Sequence, residues 1–284
     1  MAQLIQMRQR IKAIETIKKI THAMRLISMS NHSRLKGKEY PLTNYTNAIN
    51  DLFYTIKAQT PEWKNPVLYP TTTVPKTLIV LVGSQKGLCG NFNTALFKQF
   101  ESHMKLIKPK NLHFIAIGKK AVDYAKDHLA KKQGILIASY PDFSTISLFA
   151  LAKTLTEEIM IAGKQYTDVL IASNKPKTFF VQKPYITQLI PFINTANTDK
   201  KIFQDYEWEQ NPQAILDILA RQCLEATIQN LLFQSLLSEQ AARFLSMDSS
   251  TRNAESLLEI TELHYNKLRQ AKITKELTEL TGSF

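Results

Sequence analysis

The sequence predicts an α/β fold in which a mostly parallel sheet domain is inserted between long N- and C-terminal helices that form an antiparallel coiled coil. Three observations predict it. Apolar residues recur at steps of three and four through the first 36 residues, which hold no Gly or Pro. Apolar, partly β-branched runs alternate with helical stretches through the middle. Between Pro212 and Gly282 the chain again has no Gly or Pro.

The first helix is read from Leu4, Met7, Ile11, Ile14, Ile17, Ile20, Met24 and Ile27, the seam of a coiled coil. The extra three-step between Ile14 and Ile17 reads as a stammer, a local change of supercoil winding. Gly37 and Pro41 are expected to interrupt, after which LTNYTNAINDLFYTIKA resumes a weaker helical pattern. TPEWKNPVLYPTTTVPK, with four prolines, then reads as a linker or surface loop.

Strands are expected at LIVLVG, LHFIAIG, GILIAS and DVLIAS, with helices at TALFKQFESHMKLI, AVDYAKDHLA and STISLFALAKTLTEEIMIAG. Such alternation means βαβ units and a Rossmann-like sheet. TFFVQKPYITQLIPF reads as one longer antiparallel edge strand, with Pro184 near an edge or bulge.

The last helix, at 1.5 Å per residue, would be roughly 105 Å long. A compact ~100-residue domain has a radius of gyration of about 13 Å. That helix is therefore expected to pair with the N-terminal one and, beyond that, with something else. Its seam includes Ala241, Phe244, Thr251, Ala254, Leu258, Thr261, Tyr265 and Leu268, several of them small or hydroxylated. The expected parts are an N-terminal shaft helix over 1–58, a globular α/β domain with linkers over 59–207, and a C-terminal shaft helix over 208–284.

Charge is distributed unevenly. Residues 1–57 carry a net +7 and residues 208–284 a net −3, so the middle holds the remaining +8 of a total of +12. One reading is a nucleic-acid binder; the opposite signs of the two ends suggest another, that they face each other. No apolar run approaches the ~18 residues of a membrane span, and the basic, amphipathic start lacks the apolar block of a secretory signal. Cys89 and Cys223 lie far apart without metal-ligand spacing and are expected to be reduced thiols.

TLIVLVGSQKGLCGN, Thr77 to Asn91, resembles a strand entering a phosphate loop. Its glycines are spaced G-x-x-x-G-x-x-G, which is neither the dinucleotide fingerprint nor a Walker loop. No magnesium-holding hydroxyl follows Lys86 as a P-loop lysine would require. A tight strand-to-helix turn explains the glycines. Elsewhere no convergent catalytic set assembles. The six histidines (His22, His32, His103, His113, His128 and His264) show no i, i+4 ligand pair, and adjacent Glu157 and Glu158 do not share a helix face.

Three blocks resemble the gamma subunits of bacterial F-type ATP synthases: IKAIETIKKITHAM near the start, GLCGNFN in the middle, and SEQAARFLSMD with YNKLRQAKITKELTEL at the C-terminus. The resemblance runs from Ala2 to the end, and its beginning at the initiator methionine favours a bacterial chain without a transit peptide. It implies a non-catalytic central rotor without cofactor or bound metal, whose nucleotide-binding-like crevice is vacant. ATP would be handled by a ring of three alpha and three beta subunits, and rotation would be coupled to the membrane c-ring. Epsilon would be a further partner, and no nucleic acid is implied. The implied place is the cytoplasmic face of the bacterial inner membrane, as a peripheral protein. The resemblance also implies that Arg269, Gln270 and Thr274 hydrogen-bond an acidic catch loop of a beta subunit. It places Met24 near the beta subunit's acidic lever segment, although Met24 also suits the seam. The chain departs from the family pattern at His22, Asn31, Ser84-Gln85-Lys86 and the C-terminal Thr281-Gly282-Ser283-Phe284. Two other classes remain as alternatives: a basic coiled-coil protein that binds nucleic acid through its N-terminal arm, and a Rossmann-type enzyme with a ligand in the GSQKGLCG crevice.

Overall fold

The computed structural model describes residues 2–60, 62–65, 67–70, 76–107, 111–129, 134–162, 165–192 and 211–281. The chain packs as two compact units, residues 1–31 with 243–284, and residues 32–242. Among the described residues the elements are helix α1 (Ala2–Gln59), β1 (Lys76–Val82), α2 (Phe92–Ile107), β2 (Asn111–Ile117), α3 (Lys119–Tyr124), continued by a π-helical turn over Ala125–Leu129, β3 (Gly134–Tyr140), α4 (Leu148–Ala162), β4 (Asp168–Pro176), β5 (Gln182–Ile190) and α5 (Pro212–Thr281). The expected boundary at 207/208 lies outside the described residues.

In the first unit α1 and α5 run antiparallel. Arg8 donates to the Tyr265 hydroxyl at 3.2 Å, Lys18 meets Glu255 at 3.1 Å, and Arg25 meets Asp248 at 2.8 Å, so numbers rise on one helix as they fall on the other. On α5 the inward residues are Met247, Thr251, Ala254, Leu258, Thr261, Tyr265 and Leu268, in agreement with the small and hydroxylated seam read from sequence.

On α1 the seam differs from the expected one. Leu4, Met7, Ile11, Ile14, Lys18, Thr21, Arg25 and Ser28 turn inward in an unbroken alternation of three and four, and there is no stammer. Ile17 and Ile20 are each 54% exposed and Ile27 60%. Polar residues can hold the seam because their polar atoms are satisfied. Thr21 donates to the Lys18 carbonyl and Ser28 to that of Met24. Lys18 and Arg25 lay their stems along the partner helix while their heads reach carboxylates.

The second unit holds a five-stranded sheet of order β3-β2-β1-β4-β5, with β1 to β4 parallel and β5 antiparallel at the edge. β1 is central and buried along nearly all its length. One face packs against Phe53 and Ile56 of α1, Leu155 of α4, and Leu216 and Leu224 of α5. The other face packs against Leu96 and Phe100 of α2 and Val122 of α3. Pro184 sits opposite Asn174 on the edge strand, where no inner neighbour needs its missing N–H, while the β4–β5 irregularity lies at Val169/Leu170.

Three further expectations are corrected. α1 does not break at Gly37 and Pro41. Pro41 lacks the N–H that would bond the Gly37 carbonyl, and a proline ring normally crowds that i−4 carbonyl. Here residue i−4 is an exposed glycine with nothing within 4 Å of where its Cβ would be, so the turn can adjust. The proline-rich segment is not a surface loop over its described residues. Trp63, Val67 and Leu68 are buried in the main core, and the Asn65 side chain accepts from the Val67 and Leu68 amides. TFFV is a turn, not strand, because Val181 closes back onto Thr178.

α5 starts where its sequence says it should. Asn211 caps it by accepting from the Gln213 amide at 3.0 Å, and Pro212 takes the first helical position, where its missing N–H costs nothing. Leu231–Glu239 is buried almost all round, which only a helix enclosed by protein shows. The part of α5 before residue 243 is therefore core of the second unit rather than free shaft.

The seam assignment predicts that Ile14→Ala destabilises the chain by about 2–4 kcal/mol in urea denaturation. Ile17→Ala should change stability by no more than about 0.5 kcal/mol. Equal losses would return Ile17 to the seam. The cross-helix bond predicts a pH dependence too. The hydrogen bond from Arg25, with Arg252 adding its charge, holds the Asp248 carboxyl below its ordinary pKa. A depressed folded-state pKa adds stability above the unfolded value and loses it as pH falls through the folded one. Asp248→Asn should therefore lower the thermal midpoint at neutral pH, and the deficit should close below about pH 4.

Candidate functional sites

The loop between β1 and α2 occupies the place where open α/β sheets bind ligands, at the carboxyl ends of the strands where the order reverses. Several of its polar groups are used internally. The Ser84 amide donates to Asn93 Oδ1 at 3.0 Å, and Asn93 Nδ2 donates to Ser84 Oγ at 2.8 Å. The Phe92 amide bonds the Cys89 carbonyl, and the Lys120 amide, at the start of α3, is taken by the Ser84 carbonyl. Leu88 and Gly90 have φ of 63° and 58°, the two left-handed residues that turn the chain.

The glycines flanking the crevice serve packing. A Cβ on Gly83 would stand 2.8 Å from the Ala121 amide nitrogen, and one on Gly118, at φ 83°, would stand 2.3 Å from the Gly83 oxygen. The crevice end is lined by the chain's own residues. Ala242 of α5 packs against Cys89 and Phe92, and buried Asn174 of β4 reaches the Phe92 carbonyl at 3.4 Å. The chain's own helix covers the loop.

Among the described residues no group of three or more His, Cys, Asp or Glu is placed to hold a metal ion. Cys89 and Cys223 are separate buried thiols, as expected. Burial pushes the Cys223 thiol up to about 12, and its Sγ points at the Ile49 carbonyl.

The four residues singled out from sequence fall in two places. Arg269, Gln270 and Thr274 are exposed on α5, and Thr274 Oγ1 donates back to the Gln270 carbonyl at 3.0 Å. Among the described residues no carboxylate lies within ion-pair distance of Arg269. Met24 is half-buried on α1, next to Arg25, which is pinned to Asp248. Asp248 lies 21 residues before Arg269 on the same helix, roughly 30 Å at 1.5 Å per residue. The structure therefore does not bring Met24 together with the other three.

One surface was missed in the sequence. Ala13, Ile17, Ile20, Met24 and Ile27 repeat the seam's own spacing one residue earlier. In an antiparallel pair, residues one step before the seam project to the same side of both helices, so Leu257 and Ile260 of α5 join this stripe. The opposite side carries Lys12, Glu15, Lys19, His22, Arg252, Glu255, Glu259 and Glu262, interrupted by Leu26. The signal was present as a second, interleaved heptad, but it was merged with the first.

Comparisons with known proteins agree on a family. A family model described as ATP synthase matches residues 3–284. The ATP synthase gamma chain of Buchnera aphidicola subsp. Baizongia pistaciae is 30% identical over 281 residues, covering 97% of this chain and 95% of that one. The gamma chain of Clostridium perfringens strain SM101 is 30% identical over 290 residues, covering 99% and 97%. Among solved structures, a chain of the Euglena gracilis mitochondrial ATP synthase OSCP/F1/c-ring structure superposes with a TM-score of 0.67 at 16% identity. It covers 99% of this chain and 93% of that chain. A chain of the Tetrahymena thermophila central stalk/c-ring structure gives 0.59 at 20% identity, covering 81% and 98%. At those identities the structural matches establish the fold.

The packing account of the glycine loop predicts that Gly118→Ala, which meets both left-handed strain and backbone contact, costs at least about 2 kcal/mol in urea denaturation. Asn93→Ala, which strands the buried Ser84 groups, should cost about 1–3 kcal/mol. A neutral Gly118→Ala would mean that the glycine is kept for some reason other than packing.

Proposed function

The chain belongs to the ATP synthase family as a gamma chain, and from that premise we propose that it works as the central rotor of the complex without catalysing a reaction itself. Its proposed partners are the alpha and beta subunits of the catalytic hexamer, the epsilon subunit and the membrane c-ring. Among the described residues no helix is long and apolar enough to cross a membrane. A peripheral position at the cytoplasmic face of a bacterial inner membrane accords with that.

The observation that carries the reading is the two-sided helix pair. A shaft that couples rotation to three partners must contact their alternative states differently, since equal contact with every state shifts nothing. A mainly apolar stripe on one side and most of the charge on the other supply such a difference. The loop after β1, closed by its own hydrogen bonds and by α5, supports a rotor over a nucleotide-binding enzyme. The nucleic-acid alternative finds no support in the comparisons, and two cations of the basic helix, Lys18 and Arg25, are engaged by α5 carboxylates.

Within this reading Arg269, Gln270 and Thr274 form the proposed polar grip on a beta-subunit catch loop, with Met24 as a separate contact near the acidic lever segment. An exposed guanidinium suits such a grip because its planar fork holds carboxylates bidentately. Water can replace each neutral hydrogen bond at a net cost of about 0.5–1.5 kcal/mol, so the grip can be made in one rotational state and released in the next.

Co-purification from membranes with the large ATPase subunits tests the assignment. For the grip, Arg269→Ala and Gln270→Ala should leave assembly intact yet reduce coupled ATP synthesis and hydrolysis. The double variant should be non-additive because the two residues share a partner loop. Steady-state ATPase and ion pumping of reconstituted complexes measure this, and full coupling in the double variant would reduce the arc to solvated helix surface.

A further inference from the structure

The β4–β5 hairpin concentrates positive charge that no carboxylate among the described residues compensates. Lys175 and Lys183 occupy directly opposed positions of the antiparallel ladder, so their side chains share one face of the hairpin. Lys177 lies two residues beyond Lys175, and its amide bonds Val181, which brings it onto the same face. Like charges directly opposed on a ladder are destabilising. Among the described residues no carboxylate lies within ion-pair distance of any of the three. Lys175 is half-buried, its ammonium 5.3 Å from the centre of the Tyr185 ring, and burial lowers its pKa.

The end of the hairpin adds an apolar feature. Phe180 is 72% exposed and Val181 41%. The turn that shows them is rigid: the Thr178 amide bonds the Val181 carbonyl, the Val181 amide bonds the Thr178 carbonyl and hydroxyl, and Gln182 Nε2 donates to the Phe179 carbonyl at 2.7 Å. Phe179 is braced edge-on against His32 of α1, with ring centroids 4.8 Å apart, and against Phe180 at 5.3 Å. Beyond its edge contact with Phe179, the Phe180 ring is left to water, near lysines that no described carboxylate meets.

We propose that this face of the β4–β5 hairpin is a docking surface for an acidic peptide segment of a protein partner, with carboxylates meeting Lys175, Lys177 and Lys183 and an apolar side chain covering Phe180. Charge complementarity selects the occupant. The ladder holds its lysines at fixed spacing, which suits carboxylates presented at fixed spacing by a folded segment. A lipid surface fits less well, because one phenylalanine and one valine supply little apolar area and each lysine adds only about 1 kcal/mol at an anionic membrane. Pro184 on β5 removes an edge donor, so recognition rests on side chains rather than on strand addition. The proposal deepens the rotor reading and rests on it only for the complex in which it is tested.

The test places the photo-crosslinking residue p-benzoylphenylalanine at position 180 of the full chain, assembled in its complex, followed by irradiation and mass spectrometry. The expected product joins position 180 to a protein segment rich in Asp and Glu. Its yield should fall at least about tenfold with Lys177→Glu and Lys183→Glu together, since losing charged contacts of about 1.5 kcal/mol already gives a factor of ten. Lys177→Arg with Lys183→Arg should retain it. The free chain provides a second reading: Lys183→Glu should raise its thermal midpoint by relieving the repulsion from Lys175. Cross-links to lipid alone, no cross-link in an assembled and active complex, or a yield indifferent to charge reversal would each overturn the docking surface. An active complex without the cross-link would leave the rotor assignment standing, whereas failure to co-purify with the ATPase subunits would count against that assignment.

Discussion

The arrangement of the first unit depends on two remote chain segments meeting in a single register. α1 and α5 are separated by the whole sheet domain, so no short loop fixes how they align. A purely aliphatic seam would be nearly indifferent to sliding by one heptad, because dispersion and area burial are non-directional. The polar contacts remove that freedom. The Thr251 hydroxyl bonds that of Thr21 at 2.9 Å in the buried seam, a contact that exists in one alignment only, as a lone polar residue does in other coiled coils. Arg8 with Tyr265, Lys18 with Glu255 and Arg25 with Asp248 demand the same alignment. Exposed pairs add little stability singly, yet a slip would mismatch all of them at once. Stability then comes from Ile14, Leu258 and their neighbours, and register from the hydroxyls and charges.

This division of labour frees the flanking positions. Because the seam is filled by Thr21, Ser28, Thr251 and Ala254, it does not require the isoleucines beside it. Ile17, Ile20 and Ile27 stay exposed on a side away from most of the charge. On the rotor reading proposed above, that surface would offer a non-directional contact where sliding is wanted. On the same reading Arg269, one residue past the seam at Leu268, would offer a directional one on the other side. The contrast follows from which groups the seam consumes.

Much of this was legible in sequence, and the misreadings have physical causes. The absence of Gly and Pro after Pro212 announced α5, and the alternation of periods announced the sheet with its antiparallel edge. The α5 seam was readable because its small residues had no larger competitors at that spacing. On α1 the isoleucines outweighed Lys18, Thr21 and Arg25, since hydropathy does not record that a lysine stem can lie in a seam or that a threonine can satisfy itself on a carbonyl. Pro41 read as a break because the compensation lies four residues back, in Gly37. Trp63, Val67 and Leu68 were hidden among prolines, where composition suggests exposure but an Asx turn at Asn65 folds the segment inward. At the loop, spacing alone argued against a phosphate site. That Ala242 covers it could not be read, because no local pattern links positions 89 and 242.

The covered loop shows how a glycine-rich turn can persist without a ligand. In a phosphate-binding loop the glycines let the backbone approach an anion, and the amides must remain available to it. Here Gly83 and Gly118 let two pieces of the same sheet end approach each other, and the amides of Ser84, Phe92 and Lys120 are bonded within the fold. Cys89 and Phe92, together with Ala242, bury apolar surface where a bound molecule would otherwise lie. A ligand at this position would have to displace α5, whose buried length from Leu231 to Ala242 is part of the core. The site that elsewhere holds a nucleotide thus serves as a seat for the helix, and that helix continues unbroken into the coiled-coil pair.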